Sequence, residues 1–261
     1  MKNRLVFSDS GQTLELPNGL KLHLSSRRLR EAARFLGGEI FLKNRYLRKG
    51  FELEETDTIV DIGANMGLFV MWAVTRAPKG KIFAIEPTAS IDILNMNLER
   101  NDIKNVKTVK AAVGLPGEYL DIVTYPGFNA INHQSDMRPT FRTRMLVKIL
   151  TSQRQCRKVI ERVPAISLGE IIDENNLEKV DFLKIDAEGC EYKIFRNLSD
   201  EHFNKIEKIA MEFHEYHPDN DYRELVSILK NRGYYLEVER PFFDYRLVGK
   251  CGFIWARRHK R

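Results

Sequence analysis

Cysteine is scarce in this sequence, and the spacing of the cysteines excludes several kinds of site. The 261 residues contain only Cys156, Cys190 and Cys251, and no two of them form a CxxC pair. A disulfide framework needs paired cysteines, and a cysteine zinc site needs closely spaced ones. The sequence therefore predicts reduced thiols, with neither a disulfide scaffold nor a zinc site of this kind.

Long apolar runs are also lacking. No stretch approaches the roughly 18 consecutive apolar residues that a membrane span requires, and residues 1–20 have no apolar centre of the signal-peptide type. The composition, 43% hydrophobic and 30% charged, is that of an ordinary globular chain. We therefore expect a cytoplasmic protein without a transmembrane segment.

Acidic residues are outnumbered by basic ones, so that the formal net charge is +6. The excess is concentrated in a basic insert at about 126–162, which includes Arg142, Arg144 and Arg157, and in the tail at 257–261. Positive clusters attract anionic partners such as a phosphorylated substrate, nucleic acid or a membrane surface. A solvated basic face without a partner is the alternative, and the sequence leaves both open.

Residues 1–50 differ from the rest of the chain. Their short alternating stretches are broken by Ser-Gly and Asn-Gly, and Ser26 to Leu36 has helical spacing. This pattern predicts small strands or a hairpin followed by a helix. We interpret it as an N-terminal cap on a main domain at 51–261, with the cap's role in substrate binding or dimerisation open.

The main domain alternates strand and helix signals. Strands are predicted at 59–62, 81–85, 106–113, 162–166, 180–185 and 206–213, and near 234–238 and 252–256. Helices are predicted at 68–76, 91–100, 168–174, 191–198 and 222–232. Apolar strands separated by helices indicate an α/β, Rossmann-like, doubly wound sheet with helices on both faces.

The stretch VDIGANMG at 60–67 joins the first of these strands to a helix. Small residues at such a turn let a ligand approach backbone N–H groups and the positive end of the helix. Glu86 ends the next strand, about 20 residues later, where an acid can accept hydrogen bonds from ribose hydroxyls. The G-x-G-x-x-G of nicotinamide enzymes is absent, so the pattern favours an adenosine cofactor without a pyrophosphate, such as S-adenosylmethionine.

Polar side chains also follow two later strands. Asp186 and Glu188 come after Phe182 to Ile185 and are suited to orienting a hydroxyl, acting as a base or holding a divalent cation. Glu212 and His214 lie on one side of the next strand, and histidine transfers protons near neutral pH. Two structural alternatives remain open. In one, Asp186 or Glu188 serves only to cap the following helix, and in the other, His214 makes only local hydrogen bonds.

Taken in order, VDIGANMGLF, AIEP, NVKTVKAAVG, VDFLKIDAEGCEYKIFRNL and IAMEFHE resemble the FkbM family of S-adenosylmethionine-dependent methyltransferases, over about 39–215. The resemblance implies a class I methyltransferase fold, whose seven-stranded, mostly parallel sheet has an antiparallel last strand. It also implies O-methylation of hydroxyls on sugars, polyketides or other secondary metabolites. Neither the basic insert nor the N-terminal cap is a fixed feature of that family.

The family's functional positions can be placed on this sequence one by one. The resemblance implies a cofactor site formed by Asp61, Gly63, Asn65, Gly67, Phe69, Glu86, Ala112 and Asp186. Within it, Glu86 is expected at the ribose, Ala112 near adenine and Asp186 beside the methyl group. Asp186, Glu188, Glu212 and His214 are the candidates for catalysis at the acceptor. No residue is assigned as a metal ligand, although a divalent cation at these carboxylates is compatible with the sequence.

The leading expectation is an O-methyltransferase for a hydroxyl of a sugar or other small metabolite, the acceptor being anionic or glycosylated. An RNA methyltransferase that binds nucleic acid through the basic insert is the alternative, although no known RNA-binding module or NPPY-like tetrapeptide is present. A cofactor-binding module without chemistry is the third hypothesis. A homo-oligomer is compatible with all three.

Overall fold

The structure is a computed structural model that describes residues 4–8, 12–124, 133–134, 159–240 and 251–258, with the backbone alone at 133–134. Most of the basic insert and the last three residues of the tail lie outside these residues. Arg142, Arg144 and Arg157 are among the residues that the structure does not describe, so their role in binding an anionic partner stays a prediction.

The N-terminal segment forms a small antiparallel sheet and a helix. Its elements are β1 (Val6–Phe7), β2 (Thr13–Glu15), β3 (Lys21–His23), α1 (Arg27–Gly37) and a single π-helical turn (Gly38–Leu42). Ser26 caps α1, because its hydroxyl accepts a hydrogen bond from the Leu29 amide at 3.2 Å. The strands and helix predicted for this segment are present.

The remaining strands and helices alternate along the chain. Up to residue 124 they are β4 (Thr58–Ile62), α2 (Leu68–Ala73), β5 (Lys81–Ile85), α3 (Ser90–Arg100), β6 (Val106–Val109), β7 (Ala112–Val113) and β8 (Tyr119–Thr124). Then follow β9 (His133–Gln134), β10 (Val159–Ile166), α4 (Leu168–Glu174), β11 (Val180–Ile185), α5 (Glu191–Asn197), α6 (Asp200–Lys205), β12 (Ile206–His214), α7 (Tyr222–Asn231), β13 (Tyr234–Glu239) and β14 (Cys251–Arg258).

Seven of the strands form the central sheet, in the order β6-β5-β4-β11-β12-β14-β13. The neighbours from β6 to β12 pair in parallel, whereas β14 is antiparallel to both β12 and β13. The strand order reverses between β4 and β11, which is where ligands bind in open α/β sheets. The last strand is antiparallel, as the resemblance implied.

The core has two layers, one on each face of this sheet. Alternate strand residues point to opposite faces, so Ile59 and Phe182 pack with α1, α2 and α3, whereas Val60 and Leu183 pack with α4 to α7. Leu14 and Leu22 of the N-terminal sheet belong to the first layer, and both are fully buried. The N-terminal segment therefore shares a core layer with the residues that follow it.

The predicted strand at 106–113 is wrong as a single element. Its first half, β6, belongs to the central sheet, but β7 pairs in parallel with β10 in a second sheet of order β7-β10-β8-β9. The chain bends between the halves because the Ala111 amide donates to the Val109 carbonyl at 3.1 Å. None of β8, β9 and α6 was predicted. The predicted strand at 162–166 begins at Val159, and α2 ends at Ala73 rather than at Arg76.

Candidate active site

The turn between β4 and α2 is pressed against the end of the neighbouring strand β11. Gly63 has a φ of 78°, and a Cβ built on it would lie 1.9 Å from the carbonyl oxygen of Asp186. Only glycine combines this left-handed conformation with so close an approach of two backbones. Asn65 is also left-handed, with a φ of 50°, which asparagine tolerates better than most residues.

Glu86 connects the ends of β4 and β5. Its Oε2 accepts a hydrogen bond from the Asn65 amide at 2.9 Å, and its Oε1 accepts from the Thr88 hydroxyl at 2.6 Å and the Thr88 amide at 3.1 Å. Burial raises the pKa of Glu86 against the opposing effect of these donors. Each carboxylate oxygen has two lone pairs, so Oε2 can accept a further bond from a ligand.

Two cavities lie on either side of the turn. The smaller, of about 70 Å³, is bordered by Glu86 and the apolar side chains of Ala112, Val113 and Ile122. The larger, of about 500 Å³, has walls from α1, the π-helical turn and the segment after it, from the β4–α2 turn, and from the ends of β11 and β12. Gly63, Asp186 and Glu188 border both cavities, so the two adjoin at the end of β11.

The ends of β11 and β12 bring a histidine and several carboxylates together in the larger cavity. The Nε2 of His214 lies 3.7 Å from Glu188 Oε2 and 3.9 Å from Glu212 Oε1. Its Nδ1 lies 3.1 Å from Glu191 Oε1, which also accepts from the amide of Gly189 at 3.1 Å. His214 is only 4% exposed, so this contact with Glu191 holds a buried ring in place.

This concentration of negative charge perturbs the ionisable groups. Burial, reinforced by Asp186 and Glu212, raises the pKa of Glu188 to about 8, although His214 opposes the shift. Burial alone would lower the pKa of His214, but Glu188 and Glu191 together hold it well above its usual value. The imidazole therefore balances part of the carboxylate charge.

Lys184 forms a buried ion pair beneath the turn. Its Nζ lies 2.9 Å from Asp61 Oδ1 and donates a hydrogen bond to the Gly63 carbonyl at 2.7 Å. Lys184 is 4% exposed and Asp61 is fully buried, so each charge depends on the other for compensation. The pair ties the carboxyl-terminal part of β11 to β4 and to the turn.

Most of the site residues predicted from the sequence border one of the two cavities. Asn65 and Phe69 border the larger cavity, Ala112 and Glu86 border the smaller, and Glu212 and His214 face the larger one. Asp61 and Gly67 border neither cavity, because Asp61 pairs with Lys184 and Gly67 begins α2 against Leu94. The roles of all these residues stay predictions.

Four residues of this region were not singled out from the sequence. Lys184 had a signal, since it is the one charge within the buried run FLKI of β11. Glu191 has the appearance of an ordinary first-turn acid of α5. Arg45 and Tyr46 approach the cavity only because the N-terminal segment folds over it, and no local pattern marks them.

Two features define a class I methyltransferase fold. The antiparallel strand β14 lies between β12 and β13 at one edge of the sheet, and the candidate site lies at the carboxyl ends of β4, β5 and β11. The chain matches the family described as "Methyltransferase FkbM domain" over residues 61–236 and belongs to that family. It is therefore an S-adenosylmethionine-dependent methyltransferase, and the resemblance seen in the sequence is confirmed.

Two curated relatives cover most of the chain. It is 27% identical over 252 residues to "31-O-demethyl-FK506 methyltransferase FkbM" of Streptomyces tacrolimicus, covering 90% of this chain and 94% of that protein. It is also 27% identical over 214 residues to "Methyltransferase 1" of Beauveria bassiana, covering 79% and 83% respectively.

A solved structure supports the fold. The methyltransferase FkbM of Methylobacillus flagellatus aligns with a TM-score of 0.50 and 15% identity, over 89% of this chain and 56% of that one. This identity is low enough that the likeness concerns the fold alone. Within the described part of the chain, no helix has the length and apolar character needed to cross a membrane.

Proposed function

We propose that the protein transfers a methyl group from S-adenosylmethionine to a hydroxyl of a sugar or another small metabolite. The observation that carries this proposal is the pair of adjoining cavities, which share Gly63, Asp186 and Glu188. The smaller combines a carboxylate with apolar walls, as the ribose and adenine of the cofactor require, and the larger offers room for an acceptor beside proton-accepting side chains. The relative from Streptomyces, whose name specifies an oxygen as its methylation site, supports the choice of a hydroxyl.

The residues at the turn fit the cofactor. Gly63 borders both cavities, so a ligand can reach the backbone at the end of β4. Glu86 retains capacity to accept from a ribose hydroxyl, and Ala112 with Val113 offers an apolar surface to a purine ring. When bound, S-adenosylmethionine supplies a methyl group on a sulfonium, and transfer to a hydroxyl forms an O–CH₃ bond, breaks an S–CH₃ bond and leaves one proton to be accepted.

The chain's own residues would position the acceptor and remove this proton. Asp186 stands at the junction of the cavities, and Glu188, Glu212 and His214 surround the adjoining space. Holding two reactants in line accounts for much of the rate in such reactions, and a positioned base typically adds about 10² to 10⁴. The raised pKa of His214 favours a carboxylate as proton acceptor, since a protonated imidazole cannot take a second proton.

The substrate class can be tested with labelled cofactor. The enzyme is incubated with methyl-labelled S-adenosylmethionine and, separately, a metabolite extract and an RNA pool. We expect label in a small molecule, with NMR of the ¹³C-methyl product showing attachment to oxygen. Label in RNA alone would contradict the proposal, as would a methyl group found on nitrogen or carbon.

Glu86 provides a specific test of cofactor placement. Glu86→Ala should weaken the binding of S-adenosylmethionine by about 1 to 3 kcal/mol, the scale of hydrogen bonds to a charged group. Calorimetry measures the affinity, and Glu99→Ala, at an exposed position of α3, serves as control. Equal affinity of the Glu86 variant and the control would show that this carboxylate makes no contact with the cofactor.

A further inference from the structure

Three side chains of the larger cavity bring potential metal-ligand atoms close together. One potential ligand atom each from Asp186, Glu188 and His214 lies within 4.8 Å of the other two. Ligand atoms bonded at about 2.0 to 2.2 Å to a single ion lie about 3 to 4.4 Å apart, depending on the angle between the bonds. The 3.7 Å between His214 Nε2 and Glu188 Oε2 falls inside this range, and 4.8 Å is just above it.

The two nitrogens of His214 have different surroundings. Nδ1 contacts the buried carboxylate of Glu191, whose Oε1 is itself held by the amides of Ala187 at 3.3 Å and Gly189 at 3.1 Å. Nε2 borders the cavity and makes no hydrogen bond to any residue that the structure describes. A metal-binding histidine usually donates the N–H of its other ring nitrogen to a carboxylate. This hydrogen bond orients the ring and keeps the lone pair on the nitrogen that binds the metal.

The charges around the cavity leave room for a cation. Four carboxyl groups, those of Asp186, Glu188, Glu191 and Glu212, lie around His214. Among the described residues, the cations Lys43 and Arg45 also border the cavity, and both pair with Glu39. Lys184 is already paired with Asp61. A divalent cation held between these carboxylates would relieve their mutual repulsion.

We propose that Asp186, Glu188 and His214 bind a divalent cation of the first transition row, such as Mn²⁺ or Zn²⁺, with Glu191 as the positioning residue of the imidazole. The imidazole nitrogen favours these ions over Mg²⁺, which prefers oxygen ligands. Glu212 lies outside the group of three and stays free to accept the acceptor's proton.

This site also narrows the acceptor class, an inference that rests on the proposed methyl transfer. An ion held by three protein groups keeps open positions for water or substrate. A hydroxyl bound there has a lowered pKa, and a second oxygen on the adjacent carbon would fill a neighbouring position. The expected acceptor is therefore a vicinal diol or an α-hydroxy acid, methylated on one of the chelating oxygens.

Metal binding can be measured without turnover. The full chain, freed of metal by dialysis against chelator, is titrated with Mn²⁺ while free Mn²⁺ is followed by electron paramagnetic resonance, and with Zn²⁺ and Mg²⁺ by calorimetry. We expect one site, with Mg²⁺ bound more weakly than Mn²⁺. Asp186→Asn, Glu188→Gln and His214→Asn should each weaken Mn²⁺ binding by about 100-fold or more, and Glu191→Gln by about 10- to 100-fold.

Two further measurements separate a ligand role from a structural one. Pulsed electron paramagnetic resonance of the Mn²⁺ protein should show coupling to one histidine nitrogen, which His214→Asn removes. His217→Asn, in the exposed loop three residues later, should leave both the coupling and the affinity unchanged. Circular dichroism establishes that each variant is folded, and S-adenosylmethionine binding adds a second check for the Glu191, His214 and His217 variants.

The possible results distinguish this proposal from the methyltransferase assignment. Absence of Mn²⁺ and Zn²⁺ binding at millimolar concentration would overturn the cation site, as would equal affinity in all folded variants. Methyl transfer that continues undiminished in chelator would also overturn it, while leaving the proposed function intact. Specific binding that depends on the three ligands supports the site even if no methyl acceptor is found.

Discussion

His214→Ala should lower kcat for methyl transfer by about 10²-fold or more while leaving the affinity for S-adenosylmethionine nearly unchanged, because it removes the imidazole that offsets the carboxylates beside the acceptor and that would hold the proposed cation. The side chain lies among Glu188, Glu191 and Glu212 and faces the larger cavity, away from Glu86 and the smaller one. Its removal leaves buried carboxylates without their nearest cation and removes a group beside the acceptor. Steady-state kinetics with a methyl acceptor and calorimetry with the cofactor measure the two effects separately.

His217→Ala is the matched control for this change. His217 follows β12 by three residues, is exposed, and accepts a hydrogen bond from the Asp219 amide at 3.2 Å. Its loss should leave kcat within about twofold of the wild type, since exposed surface changes rarely have large effects. Comparable activity of the two variants would show that His214 has no part in the reaction, and a matching loss of cofactor affinity would place its effect on the cofactor side.

Gly63→Ala should destabilise the fold by about 2 to 5 kcal/mol and prevent normal cofactor binding. The left-handed backbone contributes about 1 to 2 kcal/mol of this loss, and overpacking against a neighbouring group contributes about 1 to 3 kcal/mol. The obstacle is the carbonyl of Asp186, a backbone atom that cannot rotate away as a flexible side chain would. Denaturant unfolding gives the free energy, and calorimetry on the folded fraction gives the affinity.

Gly117→Ala separates the two contributions. Gly117 has a φ of 71°, close to that of Gly63, but a Cβ on it would meet no atom within 4 Å. We therefore expect this variant to lose only about 1 to 2 kcal/mol and to bind the cofactor normally. If both variants lose the same free energy of unfolding, the close approach of the turn to β11 has no energetic consequence.

The N-terminal segment changes how the acceptor side is understood. Its Leu14 and Leu22 are buried in the same layer as Phe69 and Trp72 of α2, which fixes the segment on the main domain. As a result, Arg45 and Tyr46 form part of the wall of the larger cavity. Variation in this segment is therefore expected to alter acceptor choice without moving the turn at Gly63.

Much of the fold follows from local patterns in the sequence. The runs KIFAI and VDFLKI consist mostly of apolar residues, which is typical of parallel strands covered by helices on both faces. Both strands have the predicted bounds. Ser167 and Glu170 form the capping box that begins α4 at the predicted residue. The glycines and asparagine of VDIGANMG likewise indicate a turn wherever they occur, because left-handed backbone favours these residues.

The tertiary structure decided features that depend on distant parts of the chain. The run at 106–113 divides between two sheets, because β10, more than 40 residues later, competes as the partner of β7. Glu191 contacts His214 only because α5 packs beside β12. Lys184 contacts Asp61 only because β11 and β4 are neighbours in the sheet. The sequence by itself determined the class of fold, the turn and the acids at the strand ends, since local periodicity and backbone preference specify these. Only the packed structure determined which of these side chains are in contact, because the contacts at the site join residues far apart in the sequence, and local preferences specify only the conformation of neighbouring residues.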